Sequence, residues 1–153
     1  MTASTDEGAS LDRLRLSPDE LAAFLDEAFP AAARTNMGKL VSLAPGYVRM
    51  MLQATPSMIR PGGFVSGPTL MGFIDVAAYA VILAHIGLVE MAVTTTLSVS
   101  FLRPCRIEPV FADAHLLKLG RRFASIDTRV WQSTEDRVVA QAIVGYALPQ
   151  APG

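Results

Sequence analysis

The sequence predicts a single α+β domain in which a curved antiparallel sheet wraps around one long central helix. Three observations carry this prediction. The segment from Ser66 to Ile86 is apolar on almost every side of a helical wheel, so it should be buried on most sides. The segments after it are strand-like and separated by turn signals, and the chain of 153 residues has the length of one domain. We expect about five to six strands.

The first helix begins at a capping signal. Ser17 suits the N-cap, Pro18 fits the first helical position, and acidic residues occupy the first turn. Pro30 ends the helix. Residues 1–16 are interpreted as a flexible segment, and residues 17–149 as the single domain.

A hairpin and a long helix follow. The runs 39–43 and 47–55 are strand-like, and Pro45-Gly46 between them is a turn signal. After a loop rich in Pro and Gly, Pro68 suits the first position of the long helix and Gly87 suits its C-terminal cap.

The second half of the chain predicts four strands. In the second of them, residues 112, 114, 116 and 118 alternate with their neighbours and should share one face. The four predicted strands are 91–102, 110–119, 123–132 and 138–148.

Composition and charge exclude several classes of protein. Hydrophobic residues make up 51% of the chain and charged residues 18%, which excludes a disordered chain and suggests that another subunit covers some apolar surface. A net charge of −1 gives no electrostatic footprint for nucleic acid. One cysteine and two histidines exclude an internal disulfide and make a zinc site improbable, so we expect no metal.

The chain shows no signal-peptide pattern, because its first ten residues are small and polar. The most apolar run, Leu70 to Ile86, contains Asp75 and His85 and is shorter than the roughly 20 apolar residues of a membrane span. We therefore expect a cytoplasmic protein that does not bind membranes.

Asp75 is the first candidate for chemistry. It lies in the most apolar helix of the chain, where a buried carboxylate costs several kcal/mol unless it is paired or hydrogen-bonded. A carboxylate in such surroundings suits a general base. The alternatives are a structural Asp bonded to a loop and one on a narrow polar stripe.

The start of the same helix, Ser66-Gly67-Pro68, is the second candidate. Free backbone N–H groups and positive partial charge at a helix N-terminus suit a developing oxyanion, although for this tripeptide taken alone ordinary capping is by far the better explanation. About eight residues, or roughly 12 Å, separate it from Asp75. A two-fold pairing of antiparallel helices could bring Asp75 of one subunit to the helix start of the other.

The remaining candidates are weaker. The run Thr94-Thr95-Thr96 suits a strand, and one of its hydroxyls could hold a water beside Asp75. The basic turn around Arg121 and Arg122 is either solvated or binds a phosphorylated group such as coenzyme A. His85, His115 and Cys105 are interpreted as structural or exposed.

Three segments together resemble the hotdog-fold thioesterases of the phenylacetic-acid-degradation (PaaI-type) group. These segments are Gly63–Asp75, Thr94–Pro104 and Lys118–Asp127, and the resemblance extends over residues 39–148. It implies a hotdog fold, a homodimer or homotetramer, and hydrolysis of an acyl- or aryl-CoA thioester at the dimer interface. It implies no cofactor beyond the coenzyme A that the substrate carries.

The resemblance also implies roles for residues. The helix carboxylate of the family falls on Asp75, as general base or nucleophile, its oxyanion-hole glycine on Gly67, and its water-placing hydroxyl on Thr94. The family usually has His-Gly-Gly where this chain has Ser66-Gly67-Pro68, and Pro68 has no N–H to donate. An Asn or Gln that assists in many members falls near Arg60.

The candidate site therefore has a catalytic part and a substrate-binding part. A non-catalytic protein that binds acyl-CoA or another lipophilic ligand is the main alternative, and a hotdog hydratase or dehydratase is a weaker one. The catalytic candidates are Asp75, Gly67 and Thr94, and the substrate-binding candidates are Arg60, Ser66, Pro68, Thr95, Arg121 and Arg122.

Overall fold

A computed structural model describes residues 9–149 and confirms the predicted α+β architecture: one long helix lies across a six-stranded antiparallel sheet. The elements are α1 (Pro18–Ala28), α2 (Ala31–Arg34), β1 (Lys39–Ala44), β2 (Tyr47–Gln53), β3 (Ile59–Arg60), β4 (Phe64–Val65), α3 (Gly67–Ile86), β5 (Val93–Phe101), β6 (Pro109–Leu119), β7 (Phe123–Trp131) and β8 (Val138–Ala147). The strand order in the sheet is β1-β2-β6-β7-β8-β5, and a two-stranded ribbon of β3 and β4 precedes the long helix.

The long helix α3 is the centre of the core. Ser66 caps its N-terminus by accepting a hydrogen bond from the backbone of Thr69, and Gly87, with φ of 92°, ends it. From Ala77 to His85 every residue is buried, so the sheet and α1 cover this half of the helix on all sides. At Asp75 the cover is incomplete and the side chain is half-buried.

By length and composition α3 is long and apolar enough to cross a membrane. The prediction from the sequence, which counted only the run from Leu70 to Ile86, judged this segment too short for a membrane span. Two thirds of its most apolar window is buried inside the fold. The core position of the helix accounts for its apolar composition.

The capping signal of the first helix is confirmed. The Ser17 side chain accepts a hydrogen bond from the backbone N–H of Glu20, and the Glu20 side chain accepts one from the backbone N–H of Ser17, which forms a complete capping box. The segment before it differs from the flexible stretch that we expected for residues 1–16. Within the described part of that segment, Leu16 is buried and the backbone of Arg15 donates to the carbonyl of Ala84 at 2.8 Å. Residues 1–8 lie outside the described residues.

The sheet buries its concave face against α3. In β6 the side chains of Ala112, Ala114 and Leu116 are buried there, as the alternation predicted. The prediction was wrong for Lys118, because a bulge between Leu116 and Lys118 interrupts the alternation and leaves Lys118 exposed.

The two edge strands of the sheet are β1 and β5. The strand β5 pairs only with β8 within the described residues, and seven of its nine residues are exposed. The apolar side chains of Val93 and Phe101, one at each end of β5, are about half exposed. An unpaired strand edge with exposed apolar side chains is a surface that proteins usually cover.

His85 joins the end of α3 to the β1–β2 hairpin. Its Nε2 accepts a hydrogen bond from the backbone N–H of Gly46 at 2.8 Å, and its Nδ1 lies 2.7 Å from the carbonyl oxygen of Val81. These partners require a neutral ring that carries its proton on Nδ1. Burial lowers the pKa of His85 below its ordinary value, against the opposing effect of the backbone bonds to Val81 and Leu11.

The neutral state of His85 makes part of the stability pH-dependent. The folded state resists protonation of the ring, whereas the unfolded chain takes up a proton below about pH 6.5. This contribution is therefore complete above pH 6.5 and is lost as the pH falls below it, by at most about 1.4 kcal/mol per pH unit. Urea unfolding between pH 7.5 and 5.5 should show this loss in the wild type. In His85→Gln, which keeps an acceptor for Gly46 but does not titrate, the loss should be absent.

Candidate active site

Asp75 lies on the wall of a cavity of about 640 Å³ between α3, the end of α1 and the start of β5. The helix presents Asp75 to this cavity where the sheet no longer covers it, so the carboxylate is half-buried rather than buried as its apolar neighbours suggested. The cavity is lined by Glu27, Ala28, Phe29, Asp75, Val76, Tyr79, Glu90, Met91, Ala92, Val93, Thr94 and Tyr146.

Two hydroxyl groups hold the Asp75 carboxylate. Thr94 donates to Oδ1 of Asp75 at 2.5 Å, and Tyr146 donates to the same oxygen at 2.8 Å. Both hydroxyls belong to the sheet, on the neighbouring strands β5 and β8. The carboxylate thus has the hydrogen-bonded partners that a charge in an apolar helix requires.

A bulge in β5 selects which threonine reaches Asp75. Thr94 pairs with Tyr146 and Thr96 with Gly145, so Thr95 is the extra residue between them. The bulge places Thr94 on the helix side of the sheet beside Tyr146. Thr95, expected to bind substrate, is exposed.

Aromatic rings form much of the cavity wall. Phe29 meets Tyr79 edge to face with centroids 6.0 Å apart, and Tyr79 stacks on Tyr146 at 6.4 Å. The hydroxyl of Tyr79 donates to the carbonyl of Glu90, and burial raises the pKa of Tyr79. Beside the carboxylate the cavity wall is therefore partly aromatic, and Glu27 and Glu90 also line the cavity.

The start of α3 borders a second cavity, of about 480 Å³. Arg60, Gly67 and Phe101 are among the residues that line it. The Phe101 ring is the group nearest to the point where a β-carbon at Gly67 would stand. The Ser66 hydroxyl is engaged in capping, 2.8 Å from that of Thr69. Pro68 follows Gly67 and is exposed.

The structure does not bring Gly67 and Asp75 together within one chain. Gly67 lies at the Phe101 end of β5, whereas Asp75 is bonded to Thr94 near the opposite end of the same strand. Eight residues of helix separate them, or roughly 12 Å. Each chain therefore carries two separate parts of the candidate site.

A third cavity, of about 420 Å³, lies at the turn between β6 and β7. Three of its five lining residues are basic, and all three are exposed. The register connects this turn with the Asp75 cavity, because Phe123 pairs with Ala147, which pairs in turn with Val93. The lining residues are Lys118, Gly120, Arg121, Arg122 and Phe123.

Other candidate groups are placed away from these cavities or have structural partners. Burial raises the pKa of the Cys105 thiol to about 11, which leaves it protonated and unreactive. His115 is exposed on the outer face of the sheet and packs against Tyr47. Among residues 9–149, no three His, Cys, Asp or Glu side chains are grouped as metal ligands.

Sequence reasoning missed Tyr146. It lies 71 residues from Asp75, in a strand whose alternation only predicts that its side chain faces the core. A tyrosine among Ala, Ile and Val residues is a weak signal of a polar partner, because a buried Tyr hydroxyl usually finds one.

Comparison with known proteins identifies the family. The model of the thioesterase superfamily matches residues 62–139, which include the start of α3, Asp75, Thr94 and the basic turn. A search of curated proteins finds no significant match.

Solved structures agree in fold. A candidate thioesterase from Silicibacter sp. TM1040 is 36% identical, with a TM-score of 0.80, over 90% of this chain and 95% of that one. A phenylacetic acid degradation-related protein from Ralstonia eutropha JMP134 is 23% identical, with a TM-score of 0.73, over 84% and 98% of the two chains. The E. coli PaaI protein is 20% identical, with a TM-score of 0.70, over 83% and 92%.

These matches confirm the resemblance to PaaI-type hotdog thioesterases that the sequence motifs indicated. The family model spans half of the chain, and the Silicibacter protein is alike over nearly all of it. The chain belongs to the thioesterase superfamily.

Proposed function

We propose that the protein hydrolyses acyl- or aryl-CoA thioesters, with Asp75 as the general base. One observation carries the proposal: in a thioesterase fold, a carboxylate held by two hydroxyls lies on the wall of a cavity that is partly aromatic and large enough for an acyl group. A carboxylate in this position can take a proton from a water that attacks the thioester carbonyl.

The reaction needs one proton acceptor and one stabilised oxyanion. Asp75 takes the proton as the water oxygen bonds to the carbonyl carbon, and the backbone N–H of Gly67 stabilises the negative charge on the carbonyl oxygen. The carbon–sulfur bond then breaks, and the proton returns from Asp75 to the leaving thiolate. Thr94 donates its own proton to Asp75, and its oxygen can still accept a hydrogen bond from the attacking water.

A homodimer through β5 would complete the site. If two β5 strands pair antiparallel about a two-fold axis, the Thr94 end of one strand lies beside the Phe101 end of the other. Asp75 accompanies Thr94 and Gly67 accompanies Phe101, so each Asp75 would face the partner's Gly67. The exposed edge of β5 and its half-exposed apolar ends support this pairing.

The basic cavity at the β6–β7 turn would bind the phosphates of coenzyme A. Exposed Lys and Arg side chains around a cavity suit phosphate oxygens, and this turn lies at the same end of the sheet as Thr94. Arg60, at the second cavity, is a further candidate for substrate binding. Ser66 and Pro68 would shape the start of α3 rather than contact the reacting group.

Asp75→Asn tests the catalytic proposal. Asparagine keeps the shape of the side chain but cannot accept a proton, so kcat should fall by about a hundredfold or more on a panel of acyl- and aryl-CoA esters. Thiol release, followed with a chromogenic reagent, measures the rate. If the wild type binds CoA esters and cleaves none of them, the protein is a binding module and the hydrolase proposal is wrong.

Mixed dimers test the shared site. Asp75→Asn removes the base, and Gly67→Val places a side chain where the thioester would approach the N–H, with its β-carbon 3.4 Å from the Phe101 ring. Each variant homodimer should be inactive. A purified dimer of one Asp75→Asn subunit and one Gly67→Val subunit should regain about half of the wild-type rate, because one of its two sites is intact.

If the site lay within one chain, both sites of that mixed dimer would be damaged and no activity would return. Thermal unfolding of each homodimer, before mixing, checks that both variants fold. Two different affinity tags allow the mixed dimer to be purified away from the parents.

Arg122→Ala tests the phosphate cavity. Loss of the guanidinium should raise KM for a CoA ester severalfold while kcat changes little, because the phosphates are remote from the reacting carbonyl. The matched control is the same acyl group on pantetheine, which lacks the nucleotide and its phosphates. An equal rise in KM for both substrates would show that Arg122 does not bind the nucleotide.

A further inference from the structure

We propose that Tyr146 is a positioning residue that, together with Thr94, orients the Asp75 carboxylate so that Oδ2 faces the reacting water. This inference rests on the proposed function, because it assigns a role within the same site. None of the sequence motifs that indicated a thioesterase includes Tyr146.

The hydrogen bonds to Asp75 are asymmetric. Thr94 and Tyr146 both donate to Oδ1, at 2.5 and 2.8 Å, and the Tyr146 hydroxyl also lies 3.1 Å from the backbone carbonyl of Asp75. Within residues 9–149, no protein group donates a hydrogen bond to Oδ2. One carboxylate oxygen is therefore anchored and the other is left for proton transfer.

Tyr146 is itself held rigidly. It pairs with Ala124 of β7 on one side and Thr94 of β5 on the other, so its strand β8 is an interior strand at this point. Its side chain is 3% exposed, and its ring stacks on Tyr79. The hydroxyl thus has a position fixed by the pairing of β8 within the sheet and by the packing of its ring on Tyr79 of α3.

Tyr146 also remains a donor throughout the working pH range. Burial, more than any other effect, raises its pKa far above the ordinary value, and the nearby Asp75 charge raises it further. A tyrosine that keeps its proton always donates to the carboxylate, whereas a titrating group would release it.

The local geometry of the sheet is adapted to bring both hydroxyls to one oxygen. The bulge at Thr95 turns Thr94 toward Asp75 beside Tyr146. It needs Gly145 next to Tyr146, because a β-carbon at position 145 would collide with the hydroxyl oxygen of Thr96. The residue pair Gly145-Tyr146 thereby supports both hydrogen bonds.

Tyr146→Phe separates the hydroxyl from the ring. The variant keeps the ring that stacks on Tyr79 and loses only the hydroxyl, with its hydrogen bonds to the carboxylate and the backbone carbonyl of Asp75. We expect kcat to fall about tenfold or more with KM changed by less than about twofold, since binding of the substrate does not use this hydroxyl.

Tyr47→Phe is the matched control. Tyr47 also donates to an aspartate, Asp113, at 3.2 Å, but this pair involves strands β2 and β6, away from the three cavities. The loss of this Tyr–Asp hydrogen bond should leave kcat and KM unchanged. A general effect of removing a tyrosine hydroxyl would change both variants alike.

A second readout does not depend on turnover. In protein labelled with ¹³C at the Asp carboxyl carbons, the Asp75 signal, assigned by its loss in Asp75→Asn, should change its chemical shift at one fixed pH in Tyr146→Phe and keep it in Tyr47→Phe, because only the first variant removes a hydrogen bond from this carboxylate. If the wild type cleaves no thioester, the proposed function fails and this chemical shift alone decides the role of Tyr146. If Tyr146→Phe matches the wild type in the chemical shift and in any turnover, the inference is overturned.

Discussion

The structure depends on the burial of α3, a 20-residue helix that is apolar nearly all round. A helix of this kind needs cover on every side, and a single flat sheet covers only one. The sheet therefore curves around the helix, and α1 with the segment before it closes part of the remaining surface. Cover is complete from Ala77 to His85 and incomplete around Asp75, which is the place where a polar side chain can reach a cavity.

The two groups that donate hydrogen bonds to the Asp75 carboxylate are neutral, and this matters for its chemistry. An arginine in the place of Thr94 or Tyr146 would stabilise the negative charge more strongly and make the carboxylate a poorer base. Two hydroxyls supply orientation without a full opposing charge. The surroundings of Asp113 are different. Arg49 donates hydrogen bonds to both carboxylate oxygens of Asp113, and Trp131 donates a further one, an arrangement that suits a structural role.

The edge strand β5 links the two separate parts of the candidate site. One end of the strand carries Thr94, which binds Asp75, and the other carries Phe101, which borders Gly67. The two candidate positions of α3 therefore lie toward opposite ends of that edge. The proposed two-fold pairing of the edge would unite the proposed base with the proposed oxyanion site, and it would also cover the apolar side chains that each chain exposes.

Local signals in the sequence determined most of the element order and the candidates Asp75 and Gly67, because caps, Gly and Pro positions and hydrophobic periodicity act over a few residues. The tertiary structure alone decided which side chains meet. Tyr146 reaches Asp75 across 71 residues, and the bulges that turn Thr94 inward and Lys118 outward depend on the register of paired strands. A register shift of one residue reverses the face that a side chain occupies, and no pattern within a single strand specifies where that shift occurs.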